Sequence, residues 1–345
     1  MMSLIAIEDM IEAVATDTPI TNLEEIKLED FDLNVDQLPL ILLENGINEI
    51  FWERNAIIIG PDGSRIRSLG QGDLIKVRTP VSPSSIPWKI PKLDKTALTE
   101  LVEYLLPVRE GQSYLNPAPW DTDFARLDRS LYAFRAGEIS TNLRESEEKL
   151  EADEISITTP FYNPEIRFQN PLFIQTNRIY NGRTSWLEIK LDNEGIFAAS
   201  ESLMEYEFVR GTLHLSGKDL VVKKYDKYPQ DSPLRTAWSL SNEIIELDFE
   251  PKASYQLFSL IPSSVIPIHL SFVGGNVKLK LLNLSGSPVI AELRIAARIL
   301  KASVNNEEII PEFDTIKVPI RRWGIAKVEM KVVRIVESLL KKFRL

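Results

Sequence analysis

Apolar and polar residues alternate with a period of two through most of the chain beyond residue 155. Leu187, Ile189 and Leu191 alternate with Glu188 and Lys190, Leu213 and Leu215 flank His214, and Val277, Leu279 and Leu281 alternate with Lys278 and Lys280. The longest run is Val289, Ala291, Leu293, Ile295, Ala297 and Ile299, with Glu292, Arg294 and Arg298 between them. Successive side chains of a strand point to opposite faces, so this pattern predicts antiparallel strands with one face on a core and one in solvent. Turn residues separate the runs at Asn181-Gly182, Gly217-Lys218, Gly274-Gly275 and Asn283 to Pro288. About eight to ten strands are expected from Ile155 to Ala302, enough for a jelly roll or a similar antiparallel sandwich.

The first half is less regular. Residues 3–15 read as a short acidic helix capped by Ser3, with Leu4, Ile7, Ile11 and Val14 on one face. The run Ala56 to Ile59 meets the turn Gly60-Pro61-Asp62-Gly63, with Leu74 to Arg78 as its expected partner strand. Four prolines between residues 80 and 92 exclude regular helix there. Asp94 then caps a helix running to Leu106 and stopped by Pro107. A second Pro-rich stretch spans Asn116 to Trp120, and the charge run Arg144 to Glu154 marks the boundary between halves.

The last segment has a different texture. Ile325, Val328, Val332, Ile335, Leu339 and Phe343 recur every three or four residues and predict an amphipathic helix. Around them stand Arg321, Arg322, Lys327, Lys331, Arg334, Lys341, Lys342 and Arg344, against only Glu329 and Glu337. This tail carries +6 on a chain of −10, leaving −16 on the body. A basic amphipathic helix on an acidic protein is suited to an anionic partner, above all a lipid surface, where each basic residue contributes about 1 kcal/mol. The ordinary alternative is that its stripe docks on the protein's own core.

Composition narrows the chemistry. The chain has 345 residues, beyond the roughly 100–150 of a typical domain, so one large or two medium domains are expected. It has no cysteine, which removes disulfides, thiolate metal sites and cysteine nucleophiles, and its Ile, Glu and Lys content leans toward a thermophile. No apolar run spans a bilayer, and the acidic N-terminus does not read as a signal peptide. The acidic body argues against nucleic-acid binding by the body itself. Phosphate loops and nucleophile elbows are missing, and His214 and His269 sit between apolar residues with no ligand or base spacing around them. The pair Asp121/Asp123 is the one carboxylate candidate for hydrolysis. The expectation is therefore no enzyme, no catalytic residues, no metal and no cofactor. Asn283-Leu284-Ser285 is a glycosylation sequon in an expected turn. Trp88 and Trp120, in Pro-rich loops, are candidate exposed anchors.

A strand-rich chain of this length, without catalytic residues and ending in KVEMKVVRIVESLLKKFRL, resembles the double-jelly-roll major capsid proteins of icosahedral viruses with an internal membrane. The resemblance implies a mainly β fold of two jelly rolls with short peripheral helices and a C-terminal amphipathic helix. The domains would be 1–154, a first jelly-roll-like unit with helical insertions, 155–320, a second jelly roll, and 321–345, the basic helix. It further implies a virion structural protein that self-assembles as trimeric capsomers, meets other virion proteins and sets its tail on an anionic membrane. The alternative is a β-sandwich module for carbohydrate or receptor binding, with exposed Trp and Tyr in a groove.

Overall fold

The computed structural model describes residues 90–158, 165–170, 173–176, 181–191, 194–226, 232–253, 255–285, 287–320 and 325–335, with four short strands nearer the N-terminus. Those four pair as Ser3–Leu4 (β1) with Ile26–Lys27 (β2) and Glu49–Trp52 (β3) with Ala56–Ile59 (β4). Ser3 and Leu4 thus belong to a strand, not to a helix start, and Ala56 to Ile59 pairs with Glu49 to Trp52. The remainder of the expected 3–15 helix and the 74–78 strand lie outside the described residues.

Helix α1 (Lys95–Leu105) starts where Asp94 accepts hydrogen bonds from the backbone of Thr96 and Ala97, and it stops before Pro107, as expected. It buries Ala97, Leu98, Leu101, Val102 and Leu105. The strands that follow are β5 (Val108–Leu115), β6 (Thr122–Leu127), β7 (Ser130–Phe134), β8 (Glu138–Ser140) and β9 (Glu154–Thr158). Next come β10 (Glu165–Asn170), β11 (Phe173–Thr176), β12 (Asn181–Leu191), β13 (Glu194–Val209), β14 (Thr212–Ser216) and β15 (Leu220–Asp226). Asn181-Gly182 therefore opens a strand rather than forming a turn. Helix α2 (Pro233–Ser241) is capped by Ser232, with Pro233 in its first turn where a missing N–H costs nothing.

Among the described residues every named element after α2 is a strand: β16 (Ile245–Pro251), β17 (Tyr255–Gln256), β18 (Phe258–Ile261), β19 (Val265–Val273), β20 (Asn276–Asn283), β21 (Val289–Ile295), β22 (Arg298–Val304), β23 (Glu307–Ile309), β24 (Thr315–Ile320) and β25 (Ile325–Val333). The expected single run from Val289 to Ile299 is two strands, because the chain bends at Ala296-Ala297 and changes sheet.

All described pairings are antiparallel. A seven-stranded sheet has the order β11-β10-β12-β13-β14-β9, with β15 on the first half of the long β13. A four-stranded sheet, β16-β5-β8-β17, joins residues from both sides of the 154/155 boundary. The sheets β18-β21-β24 and β19-β20-β25-β22-β23 face each other as a sandwich. One core cluster runs from Ile90 through α1, β5, α2 and both faces of this sandwich to Val332, so 154/155 lies within shared packing and separates no cores. Leu187, Ala198, Tyr206, Leu213 and their neighbours form a smaller cluster on the other face of the seven-stranded sheet.

The main correction concerns the tail. Residues 325–333 are a strand in the middle of the five-stranded sheet, with Ala326, Val328, Met330 and Val332 buried and Lys327, Glu329 and Lys331 exposed. Val328 and Val332 fit a helical stripe and a period-two strand equally well. Buried Ala326 and Met330 satisfy only the strand, and the β-branched content of the segment favours it too. Residues 336–345 lie outside the described residues.

Candidate functional site

The solvent face of the five-stranded sheet follows directly from its register. One row runs Val273, Asn276, Lys331, Lys301; the next runs Ser271, Lys278, Glu329, Ser303; the third runs His269, Lys280, Lys327. Five lysines thus share this face with two acids, Glu329, which pairs with Lys278 at 2.9 Å, and Glu308, which ends the middle row opposite Ser303 on β23. Lys301, Lys327 and Lys331 make no ion pair among the described residues. Moreover, Lys280 lies directly opposite Lys327, and Lys301 directly opposite Lys331. Like charges placed so cost a sheet about 0.2–1 kcal/mol per pair. The Lys301–Lys331 opposition therefore weakens the sheet that bears it, and on a chain of net charge −10 the lysine face stands out from the rest of the surface.

At the sheet edge Glu307 on β23 is exposed but lies opposite Val304 on the other face, and Glu312, exposed on the loop into β24, pairs with Lys317 at 3.0 Å. Ile310 in that loop is 93% exposed and Phe313 is 50% exposed.

Of the residues expected to contact an anionic surface, the structure brings Lys327 and Lys331 together with Lys278, Lys280 and Lys301. Arg334 is used internally: its guanidinium donates to the carbonyls of Tyr104 and, at 2.7 Å, Glu103, neutralising the C-terminal turn of α1. Arg321, Arg322, Lys341, Lys342 and Arg344 lie outside the described residues. The three additional lysines were missed although Lys278 and Lys280 stand in a visible alternation. What was hidden is that β25 inserts between β20 and β22.

The remaining candidates are structural. Asn283 is fully buried; its amide nitrogen donates to the Ser287 carbonyl at 2.9 Å and its oxygen accepts from Ser285 N–H at 3.1 Å. The atom a glycan would need is thus spent inside the fold, which removes Asn283 as a glycosylation site of the folded protein. Trp120 is buried, edge-on to Trp238 with ring centroids 5.0 Å apart, so it is no exposed anchor. Trp88 lies outside the described residues. Asp121 accepts from Ala136 N–H at 2.8 Å and ties down a loop.

His214 and His269 are exposed, as the alternation predicts. Ser156 Oγ lies 2.8 Å from His214 Nδ1, and Glu207 is next in the same cross-strand row. This resembles a nucleophile–base pair only in composition. It sits exposed on the face of an open sheet, at its β9 edge, where water has free access among the described residues. Among the described residues no three His, Asp or Glu side chains gather to hold a metal ion. The space between the sandwich and α1, lined by Leu101, Phe258, Leu279, Leu293 and Met330 among others, measures about 20 Å³ and has no polar lining. It is a packing gap. Among the described residues no helix is long and apolar enough to cross a membrane.

One charged cluster is deeply buried. Arg126 on β6 reaches Asp219 at 2.7 Å, Glu201 at 3.2 Å and Glu243, and donates to the Leu240 and Asp128 carbonyls. Burial alone would raise the Glu201 pKa, but the Lys218 hydrogen bond and the charges of Arg126 and Lys92 outweigh it and bring the carboxyl down to about 2. The cluster ties β6, β13, the turn before β15 and the end of α2 together.

No family model and no curated protein matches the chain. Among solved structures, an alpha-mannosidase from Enterococcus faecalis V583 is similar at 11% identity and a TM-score of 0.38, over 65% of this chain and 35% of that one. A protein in the glycosyl hydrolase family 38 from Enterococcus faecalis is similar at 12% identity and a TM-score of 0.36, over 59% and 28%. The chain spans about a third of the length of these structures, and likenesses this loose assign neither a fold family nor an activity.

Proposed function

We propose that this protein is a non-catalytic structural subunit that self-assembles, in the manner of a viral coat protein. The observation that carries the reading is the lysine-bearing sheet face on which Lys301 lies directly opposite Lys331, an opposition that lowers the stability of the isolated subunit and is relieved when an anionic surface covers it. An antiparallel sandwich without a binding cavity or a clustered acid–base site among its described residues suits a building block better than an enzyme. The reading uses the sandwich and not a particular strand order. β19–β20 and β22–β23 are hairpins inside one sheet, whereas a jelly roll sends most successive strands to opposite sheets.

Within this proposal the subunit is a capsomer component of a virion, a trimer by analogy with the coat proteins its sequence layout resembles. The contact with an anionic membrane then falls to Arg321, Arg322, Lys341, Lys342 and Arg344, the basic residues that flank the last strand in sequence. A carbohydrate-binding groove finds less support, because Trp120, Trp186 and Trp238 are all buried. Negative-stain images of purified protein test the reading. Rings, trimers or sheets are expected, and isolated monomers at every concentration would overturn it.

A further inference from the structure

We infer that residues 90–95, the segment that leads into α1, form an acid-operated strap, clasped to the end of α2 by a mixed cluster of carboxylates and cations. The inference is independent of the self-assembly reading, and its failure leaves that reading untouched.

The strap is anchored on the residue that ends α2. Asn242 is buried and uses both ends of its side chain: its oxygen accepts from the Leu93 N–H at 2.7 Å, and its nitrogen donates to the Pro91 carbonyl at 3.3 Å. These bonds belong to no helix or sheet ladder, so no neighbouring ladder bond reinforces them. Ile90 and Leu93 are buried in the core, whereas the side chains of Lys92 and Lys95 are 49% and 57% exposed. Each lysine nevertheless reaches a carboxylate of the body, Lys92 to Glu201 and Lys95 to Glu243, both at 3.2 Å.

The charges that face one another come from five places. Glu201 lies on β13, Lys218 and Asp219 in the turn before β15, Glu243 just beyond α2, Arg126 on β6, and Lys92 and Lys95 on the strap. Asp94, the remaining ionisable group of the strap, is turned into its own helix, where it accepts from Thr96 and Ala97. Three carboxylates thus stand among four cations at neutral pH. Protonating the carboxylates leaves the four cations together, two on the strap and two on the body, and the attraction across the clasp becomes repulsion. The sandwich sheets meet instead through apolar side chains, which acid does not touch.

Glu201 supplies the sign. Burial raises its carboxyl, but the Lys218 hydrogen bond and the charges of Arg126 and Lys92 outweigh burial and hold it at about 2. Closing the strap adds Lys92 to that set, so the carboxyl binds a proton less readily in the closed form than in the open one. Closure is therefore favoured at neutral pH and loses that advantage as pH falls toward 2. Ile90 and Leu93 still favour the closed form, so the strap opens as a local fluctuation of a folded body.

The test is hydrogen exchange of the full chain, read by mass spectrometry on the fragment holding Leu93 and on a reference fragment from β20. Each rate is divided by its intrinsic value at that pH. Between pH 7 and pH 2 the protection of the Leu93 fragment is expected to fall about tenfold or more relative to the reference, because one unit of pKa difference between closed and open forms is a factor of ten. Lys92→Met with Lys95→Met removes both sensing cations from exposed positions. Its strap should be about threefold or more less protected at pH 7, and the remaining protection should not follow pH. If the wild-type Leu93 fragment keeps its protection at pH 2, or loses it only together with β20, the strap is no separate device and the inference falls. If the double variant shows the same acid loss as the wild type, the two lysines do not carry the signal and the inference falls as well.

Discussion

Arg126→Met is the most informative single test of how the core is held. The guanidinium is 3% exposed and faces Glu201, Asp219 and Glu243, whose side chains are 12%, 7% and 31% exposed. Removing the cation leaves the largely buried Asp219 without its main partner and Glu201 with only Lys218 and Lys92, an event that costs about 3–5 kcal/mol. For a chain of this size the melting temperature should fall on the order of 10 °C. The pH dependence supplies a sharper signature. The Glu201 carboxyl is lowered from 4.5 to about 2, which corresponds to about 3 kcal/mol of stabilisation. Because its folded pKa lies below the unfolded value, that stabilisation is fully present above about pH 4.5 and is lost as pH falls toward 2. Without Arg126 one of the three groups that lower the Glu201 carboxyl is gone while Lys218 and Lys92 remain, so its pKa rises part of the way back and the deficit of the variant should be largest at neutral pH and shrink below pH 4.5. Urea unfolding of both proteins at pH 7, 5 and 3 reads this directly. A deficit under about 1 kcal/mol that does not change with pH would refute the reasoning.

Three further outcomes follow from single contacts. Gly195→Ala would set a Cβ 2.1 Å from the ring of the buried Tyr225, whose hydroxyl bonds Glu188, so it should cost about 1–3 kcal/mol in denaturant unfolding. Lys331→Glu replaces the Lys301–Lys331 opposition with an attraction and should stabilise the isolated subunit by about 0.5–1 kcal/mol, seen as a slightly higher melting temperature of dilute protein at low salt, an increase that fades as salt is added. Asn283→Ala removes the partner of the Ser285 N–H, while the Ser287 carbonyl keeps the Ser285 hydroxyl at 2.8 Å, and should cost about 1 kcal/mol.

Much of the β body was legible because burial on one face imprints a period of two, as at Leu213, His214 and Leu215 or from Val277 to Leu281. Helix α1 was legible because Asp94 and Pro107 punctuate it at both ends. The sheet change at Ala296-Ala297 was not, since both residues are small and apolar and leave the alternation unbroken across the bend. The tail was misread for a related reason. Spacings of three and four select a subset of any strongly apolar segment, and in 325–333 that subset omitted Ala326 and Met330, the residues that decide for a strand. The basic face was only half visible: Lys327 and Lys331 drew attention as a charged tail, and Lys278 and Lys280 as strand exteriors. Their union depends on β25 pairing with β20 some fifty positions earlier, a tertiary fact that no local pattern carries.

The central claim is that the lysine face is an assembly surface, and the mass of the wild-type protein against salt tests it most directly. Electrostatic contacts between exposed groups are screened as ionic strength rises. The account predicts a species heavier than the 39.3 kDa chain at low salt that collapses to the monomer in concentrated sodium chloride. A mass of 39.3 kDa at every salt concentration would contradict it.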